Sequence, residues 1–161
     1  MKSTKSPLMT VVLVTSALLA ASVFAQEKSD LLSEDERGAI GSTRTLNTAE
    51  VAYMYTFNKG YSGNLLVLGE GPAGSPPSET QAGLVESELA KGKVHNYVFT
   101  YKPGAKDKDG HINAYQLTAR PAKWQKGLVG FFTNQTGIIR WTKENRLPTV
   151  KDPSLDSLPG I

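Results

Sequence analysis

Residues 33–60, SEDERGAIGSTRTLNTAEVAYMYTFNKG, decide the predicted fold because they carry one stripe of small and apolar residues at helical spacing. The stripe comprises Ala39, Thr43, Leu46, Ala49, Tyr53 and Phe57. Residues three or four positions apart share one side of a helix, so we predict a helix over residues 30–58, with Ser33 and Glu36 as its capping box. Two glycines inside it each cost about 1 kcal/mol of helix stability relative to alanine, so the helix needs a sheet to pack against.

The C-terminal half of the chain carries alternating patterns that are typical of β-strands. Strands are predicted at residues 96–101, 112–119, 128–133 and 137–142. The last two are separated only by residues 134–136, which predicts a tight hairpin with Phe131 and Trp141 on one side. Because short connections favour antiparallel pairing, we predict an α+β fold in which a long N-terminal helix packs on a three- to four-stranded antiparallel sheet.

The remaining segments are predicted to be less regular. Residues 61–78 are rich in glycine and proline and predict a loop, and residues 81–90 predict a short helix that ends at Gly92. Residues 144–161 contain three prolines and no sustained period, so we predict an extended C-terminal tail. The globular domain is therefore expected to span residues 26–143.

The N-terminus has the pattern of a secretion signal. Lys2 and Lys5 provide a positive start, and an apolar run follows at residues 8–24. We expect residues 1–25 to be a signal peptide that is cleaved before Gln26, which implies a periplasmic or extracellular protein. The alternative is an uncleaved membrane helix, which would anchor the chain in the inner membrane.

Charge and cysteine content exclude several classes of function. The 161-residue chain has 18 Lys and Arg against 15 Asp and Glu, and removal of Lys2 and Lys5 leaves 16 against 15. A balance so close to neutral offers no broad basic field, so nucleic acid is not expected as a partner. The chain has no cysteine, which excludes disulfides, thiol nucleophiles and cysteine-bound metals.

Two motifs resemble ligand sites but are incomplete. Residues 107–110, DKDG, match the middle of a calcium-binding loop, but the first carboxylate and the final Glu of that loop are absent, so a charged turn is predicted. Residues 69–74 match a dinucleotide-binding fingerprint, but nearby prolines prevent the helix that such a site requires.

His95 and His111 lack an obvious third metal ligand, and no nucleophile motif occurs. We therefore expect no enzymatic activity and no cofactor.

Glu50 lies beside the apolar stripe and allows two interpretations. At the edge of the stripe its carboxylate would be in solvent, which is the interpretation that we favour. Alternatively, the carboxylate accepts backbone hydrogen bonds at a subunit contact.

Residues 41–51, GSTRTLNTAEV, resemble the helix of bacterial type IV pilin-like proteins of the acidobacterial type, where the usual text is close to GSLRTINTAEV. The resemblance continues at residues 60–62, 82–85, 97–101 and 131–140. It implies a long helix on an antiparallel sheet, and in such pilins the apolar first half of the helix lies in the filament core. The prepilin cleavage signature of that family is absent, since Glu27 is the first acidic residue of the chain.

These observations together predict an exported, non-enzymatic, pilin-like domain that makes protein contacts at the bacterial cell envelope, with envelope or pilus-type proteins as partners. Aromatic residues dominate protein interfaces, so we expect Tyr97, Tyr101 and Trp124 to be exposed and to form the partner surface. One alternative is a filament-forming type IV pilin or a type II secretion pseudopilin that retains its apolar segment. Another is a small secreted metal-dependent enzyme that uses Asp107, Asp109 and His111.

Overall fold

The computed structural model describes residues 32–161, and the signal sequence predicted at residues 1–25 lies outside them. The described helices and strands are α1 (Glu34–Phe57), α2 (Ser87–Ala90), β1 (Lys93–Val94), β2 (Tyr97–Pro103), β3 (Tyr115–Pro121), β4 (Gly130–Asn134) and β5 (Arg140–Thr142). Short 3-10 turns occur at Leu65–Leu68 and Leu155–Ser157. One long helix and a five-stranded antiparallel sheet confirm the α+β class, and Ser33–Pro159 forms one compact unit.

Capping interactions fix both ends of helix α1. Glu36 N donates to Ser33 Oγ at 3.2 Å, and Ser33 N donates to Glu36 Oε2 at 2.7 Å. This reciprocal pair is the predicted capping box, and it starts the helix at Glu34 rather than at residue 30. At the other end, Asn58 adopts the left-handed conformation and its N–H donates to Met54 O.

The strands follow one another across the sheet in chain order, from β1 to β5. Each neighbouring pair is antiparallel, and the β4–β5 hairpin pairs Phe131 with Trp141, which lie on one side of the sheet as predicted. The tight turn predicted at residues 134–136 is wrong, since β4 continues to Asn134 and β5 begins only at Arg140. Strand β1 makes the sheet larger than the predicted three or four strands, because two residues are too few to show an alternating pattern. Its turn to β2 places His95 and Asn96 in the left-handed conformation.

The helix predicted over residues 81–90 is wrong over its first half, since only Ser87–Ala90 is helical. Ala82 N donates instead to Val67 O and Leu84 N donates to Leu68 O, both at 2.8 Å. These bonds hold the segment against the 3-10 turn of residues 65–68. Hydrogen bonds to a distant segment therefore outweigh the local helix propensity.

One side of helix α1 is buried against the sheet. The buried residues on that side include Ala39, Thr43, Leu46, Ala49 and Tyr53. Phe57 is half-buried, and its ring centroid lies 4.9 Å from that of Tyr53. The helix contacts β3 and β4, whose buried residues include Leu117, Ala119 and Phe131. Removal of these apolar side chains from water stabilises the contact between helix and sheet.

Hydrogen bonds also join helix α1 to the sheet across large separations in sequence. Val129 N donates to Glu36 Oε1 at 3.0 Å. Farther along the helix, Asn47 Nδ2 donates to Thr133 Oγ1 at 3.0 Å, and Tyr115 OH donates to Asn47 Oδ1 at 2.8 Å. Because buried polar groups cost free energy unless they are paired, these bonds fix the position of the helix along the strands.

Gly38 allows the β1–β2 turn to approach the helix closely. A Cβ at this position would lie 2.5 Å from Cγ of the His95 imidazole, well inside contact distance. The glycine therefore permits this packing, although it lowers helix stability by about 1 kcal/mol relative to alanine.

The C-terminal tail runs along the outer edge of β5. Trp141 N donates to Pro153 O at 3.1 Å, and Leu155 N donates to Ile139 O at 2.8 Å. These bonds form one antiparallel bridge beyond the last strand. The edge of the sheet is therefore covered at this point by the chain itself.

Candidate functional site

Glu50 is a buried carboxylate, only 1% exposed, in the middle of helix α1. Ser62 N donates to its Oε2 at 2.8 Å, and Ser62 Oγ donates to its Oε1 at 2.6 Å. The interpretation of Glu50 as a solvated residue is therefore wrong. Glu50 lies four residues after Leu46 and three before Tyr53, so the helix turns it toward the same side as the apolar stripe.

A buried polar network surrounds Glu50. Burial raises the pKa of Glu50 above its ordinary value, and the hydrogen bonds from Ser62 lower it in part. Tyr101 OH donates to Ser62 O at 2.9 Å, and burial raises the pKa of Tyr101 as well. The Tyr101 ring stacks on Tyr115 with centroids 5.5 Å apart. These contacts hold helix α1, loop 61–64 and strands β2 and β3 in one arrangement.

The structure places the aromatic residues of the expected partner surface in different environments. Tyr97 is 2% exposed, and its OH donates to Val129 O at 2.6 Å. The expectation of an exposed ring at Tyr97 is therefore wrong, because alternate residues of β2 face the helix side of the sheet. Tyr101 is half-buried with its hydroxyl occupied, whereas Trp124 lies partly exposed in the loop after β3.

Trp124 belongs to a basic rim at the end of β3. The Arg120 guanidinium carbon lies 5.1 Å from the centroid of the Trp124 ring, which is a cation–π distance. Arg120 Nη2 also donates to Asn145 Oδ1 at 2.8 Å. Lys123 and Lys126 flank the tryptophan and are exposed. A partner at this rim would meet positive charge around one aromatic ring.

The DKDG turn is closed by its own hydrogen bonds. Asp109 N and His111 N each donate to Asp107 Oδ1 at 2.9 Å, and Asn113 Nδ2 donates to Oδ2 at 2.7 Å. These donors, with His111 N first, lower the pKa of Asp107. His95 lies in the β1–β2 turn instead. Within residues 32–161, no group of three or more His, Cys, Asp or Glu side chains is arranged to hold a metal ion.

The solvent side of helix α1 is a surface that the sequence-based argument missed. We name it the outer helix face, and its residues are Arg44, Thr45, Thr48, Val51, Ala52 and Tyr55. Val51 is 43% exposed and Tyr55 is 77% exposed, one helical turn apart. Over residues 41–57 the charged residues are Arg44 and the buried Glu50, and this shortage of charge was the available signal.

Threonine side chains make the outer helix face less polar than its sequence suggests. Thr45 Oγ1 donates to Gly41 O and Thr48 Oγ1 donates to Arg44 O, both at 3.1 Å. The hydroxyl hydrogens are therefore used within the helix. A shallow groove of about 340 Å³ runs beside these residues, and Leu84 forms part of its wall.

No protein-family model, no curated protein and no solved structure matches this chain. In the part of the chain that the structure describes, the helices are too short or too polar to span a bilayer. The outer helix face and the basic rim are therefore the surfaces from which a function can be inferred.

Proposed function

We propose that this protein is an exported, non-enzymatic, pilin-like domain that makes protein contacts at the bacterial cell envelope. The observation that carries the proposal is the outer helix face, where the side chains of Val51 and Tyr55 are exposed. Over residues 41–57, Arg44 is the only charged residue on this face. Exposed apolar patches are typical of protein contact sites. The resemblance of residues 41–51 to pilin-like helices supports the same assignment.

The surroundings of two carboxylates support a non-enzymatic role. A general acid or base must reach the proton that it transfers. Glu50 is enclosed beneath the helix, and both oxygens of Asp107 accept N–H donors of their own turn. Each carboxylate has a structural partner in place of a substrate.

A photo-crosslinking experiment in the native host tests the contact. A photoreactive residue replaces Tyr55 in one strain and Leu66 in a control strain, because Leu66 is similarly exposed and apolar but lies outside helix α1. We expect a discrete adduct with an envelope protein from position 55, and its loss when Val51→Asp is added. Equal adducts from both positions, or none from position 55, would contradict the proposal.

A filament-forming pilin or pseudopilin is the alternative, and it is favoured by the apolar run at residues 8–24, which precedes Gly41 at about the distance that the resemblance requires. Intact mass of the protein isolated from its host separates the two. A chain that begins at Gln26 supports the exported domain, whereas a chain that keeps residues 8–24 supports the filament subunit.

A further inference from the structure

The edge of β5 is covered by residues 153–158, which we name the cover segment. Besides its backbone bridge, the cover segment accepts a hydrogen bond from Trp141 Nε1 at Ser154 O, at 3.1 Å. Leu155 and Leu158 of this segment are buried. The cover segment therefore binds the edge through one antiparallel bridge and two apolar anchors, and its residues Leu155–Ser157 form a 3-10 turn.

Residues 143–151, which we name the connecting loop, join β5 to the cover segment. The loop is closed at Asp152, which is 6% exposed and accepts hydrogen bonds from the Arg146 guanidinium and from Thr149 N. Pro148 lies against Gly130 of β4. The ion pair folds the loop back, and Arg140 Nη1, which donates to Asp152 O at 2.8 Å, helps to hold the start of the cover segment on its own β5 edge.

The connecting loop exposes apolar side chains that have no role in closing it. Leu147 is 60% exposed and Val150 is 54% exposed. Exposure of apolar side chains to water is unfavourable, so a second surface that covers them would lower the free energy.

We propose that the cover segment exchanges between two copies of this chain, so that the β5 edge of each copy binds residues 153–158 of the other. The contacts at the edge are the same in the closed and the exchanged forms, so the exchange costs the opening of the loop and the entropy of association. Nine residues of connecting loop span about 30 Å when extended, enough to reach a neighbouring edge. Leu147 and Val150 then lie where the two loops cross. This inference goes beyond the proposed envelope role and does not depend on it.

A second copy fits the edge better than an unrelated strand does. The edge is already filled by a segment whose proline, main-chain bridge and two leucines match it, and an identical chain supplies an identical segment. Without residues 1–25 the chain has 16 Lys and Arg against 15 Asp and Glu, so two copies repel each other little.

Cysteine trapping on the full chain tests the exchange. Arg140 and Ser154 face each other across the bridge as a non-hydrogen-bonded pair, for which Cα atoms lie about 4.5 Å apart, within disulfide range. The chain has no cysteine of its own. A tagged Arg140→Cys copy is mixed with a Ser154→Cys copy in a glutathione redox buffer. We expect a disulfide between copies, identified by peptide mass spectrometry, about tenfold above the collision control.

The collision control mixes Ser154→Cys with Lys126→Cys, because Lys126 is exposed in another loop. Adding Arg146→Ala to the Ser154→Cys copy opens the connecting loop and is expected to speed the trapping. The double variant Arg140→Cys, Ser154→Cys reports the pairing inside one chain. Closure of that double variant within single chains, together with mixed copies at the control level, would overturn the proposal. Failure of the double variant to close at all would overturn it too, since the bridge itself would then be absent.

Discussion

Two buried carboxylates, Glu50 beneath helix α1 and Asp152 at the end of the connecting loop, have pKa shifts of opposite sign. Glu50 accepts hydrogen bonds from the neutral donors of Ser62, and burial raises its pKa. Asp152 accepts hydrogen bonds from the Arg146 guanidinium, which lowers its pKa to about 2. Glu50 lies deep beneath the helix and faces neutral donors, whereas Asp152 lies near the surface and faces a cation, so depth and donor charge together give the two shifts their opposite signs.

The largest expected effect is that of Glu50→Ala. Removal of this side chain leaves a void and leaves the N–H of the fully buried Ser62 without an acceptor, whereas the Ser62 hydroxyl keeps Asn64 O at 3.0 Å. Together these losses cost about 3 kcal/mol of unfolding free energy, measured by urea titration at pH 7. Glu50→Gln keeps the volume and one acceptor oxygen, so we expect it to cost less than half as much. Equal losses in the two variants would mean that Ser62 is not held by an acceptor at position 50.

The second effect is that of Asp152→Asn in the connecting loop. The amide keeps the size of the side chain but loses the charge that faces Arg146, so we expect a loss of about 2 kcal/mol in the free energy of unfolding. The matched control is Asp156→Asn, since Asp156 is an exposed neighbour in the same tail. A loss in the control as large as that in Asp152→Asn would show that the ion pair does not stabilise the tail.

The third effect is the pH dependence, which has opposite sign in the two regions. Because the folded pKa of Glu50 lies above its ordinary 4.5, its contribution is complete below pH 4.5 and is lost as the pH rises through the folded pKa. The contribution of Asp152 is present above its ordinary pKa of 3.8 and is lost as the pH falls through about 2.

Urea titrations of three proteins over pH 2–7 measure these slopes. Wild type is expected to lose stability relative to Glu50→Gln as the pH rises above 4.5. It is expected to lose its advantage over Asp152→Asn as the pH falls from 3.8 toward 2. If the free energy of unfolding of wild type and of a variant changes with pH in parallel, the replaced carboxylate does not cause the pH dependence.

The smallest effect is expected at the exposed ion pair between Lys59 and Glu79. Their charged atoms are 2.7 Å apart, but the two side chains are 56% and 47% exposed. Lys59→Met should therefore leave the urea midpoint unchanged within error, since water screens such pairs. A clear shift would show that distance between the charges, rather than burial of the carboxylate, determines what an ion pair contributes.

Periodicity predicted the elements whose residues interact locally, and failed where the partner comes from elsewhere in the chain. The capping box of Ser33 and Glu36 and the shared side of Phe131 and Trp141 were predicted because both depend on short spacings. Glu50 was misplaced because its donors belong to Ser62, in a loop that no helical spacing describes.

The same limit explains the partner surface. Alternation in β2 shows that Tyr97 and Tyr101 share a side of the strand, but it does not show which side the helix covers. The outer helix face follows from the helix position once the buried side is known, and there Tyr55 is the most exposed aromatic ring of α1. The available signal was the scarcity of charged residues over residues 41–57. That scarcity alone does not show which side of the helix is exposed until the position of the sheet is known.

The bonds from helix α1 to β4 and the residue before it span 86 and 93 positions of sequence, from Asn47 to Thr133 and from Glu36 to Val129. A ribosome that adds 5–20 residues per second therefore finishes the partner strand about 5–20 s after the helix. During that interval the helix can contact only earlier parts of the chain, such as Ser62 and β3, and it lacks β4. Nascent chains that stop before Gly130 leave open to water the part of the helix stripe that β4 covers, so we expect chaperones and proteases to bind them.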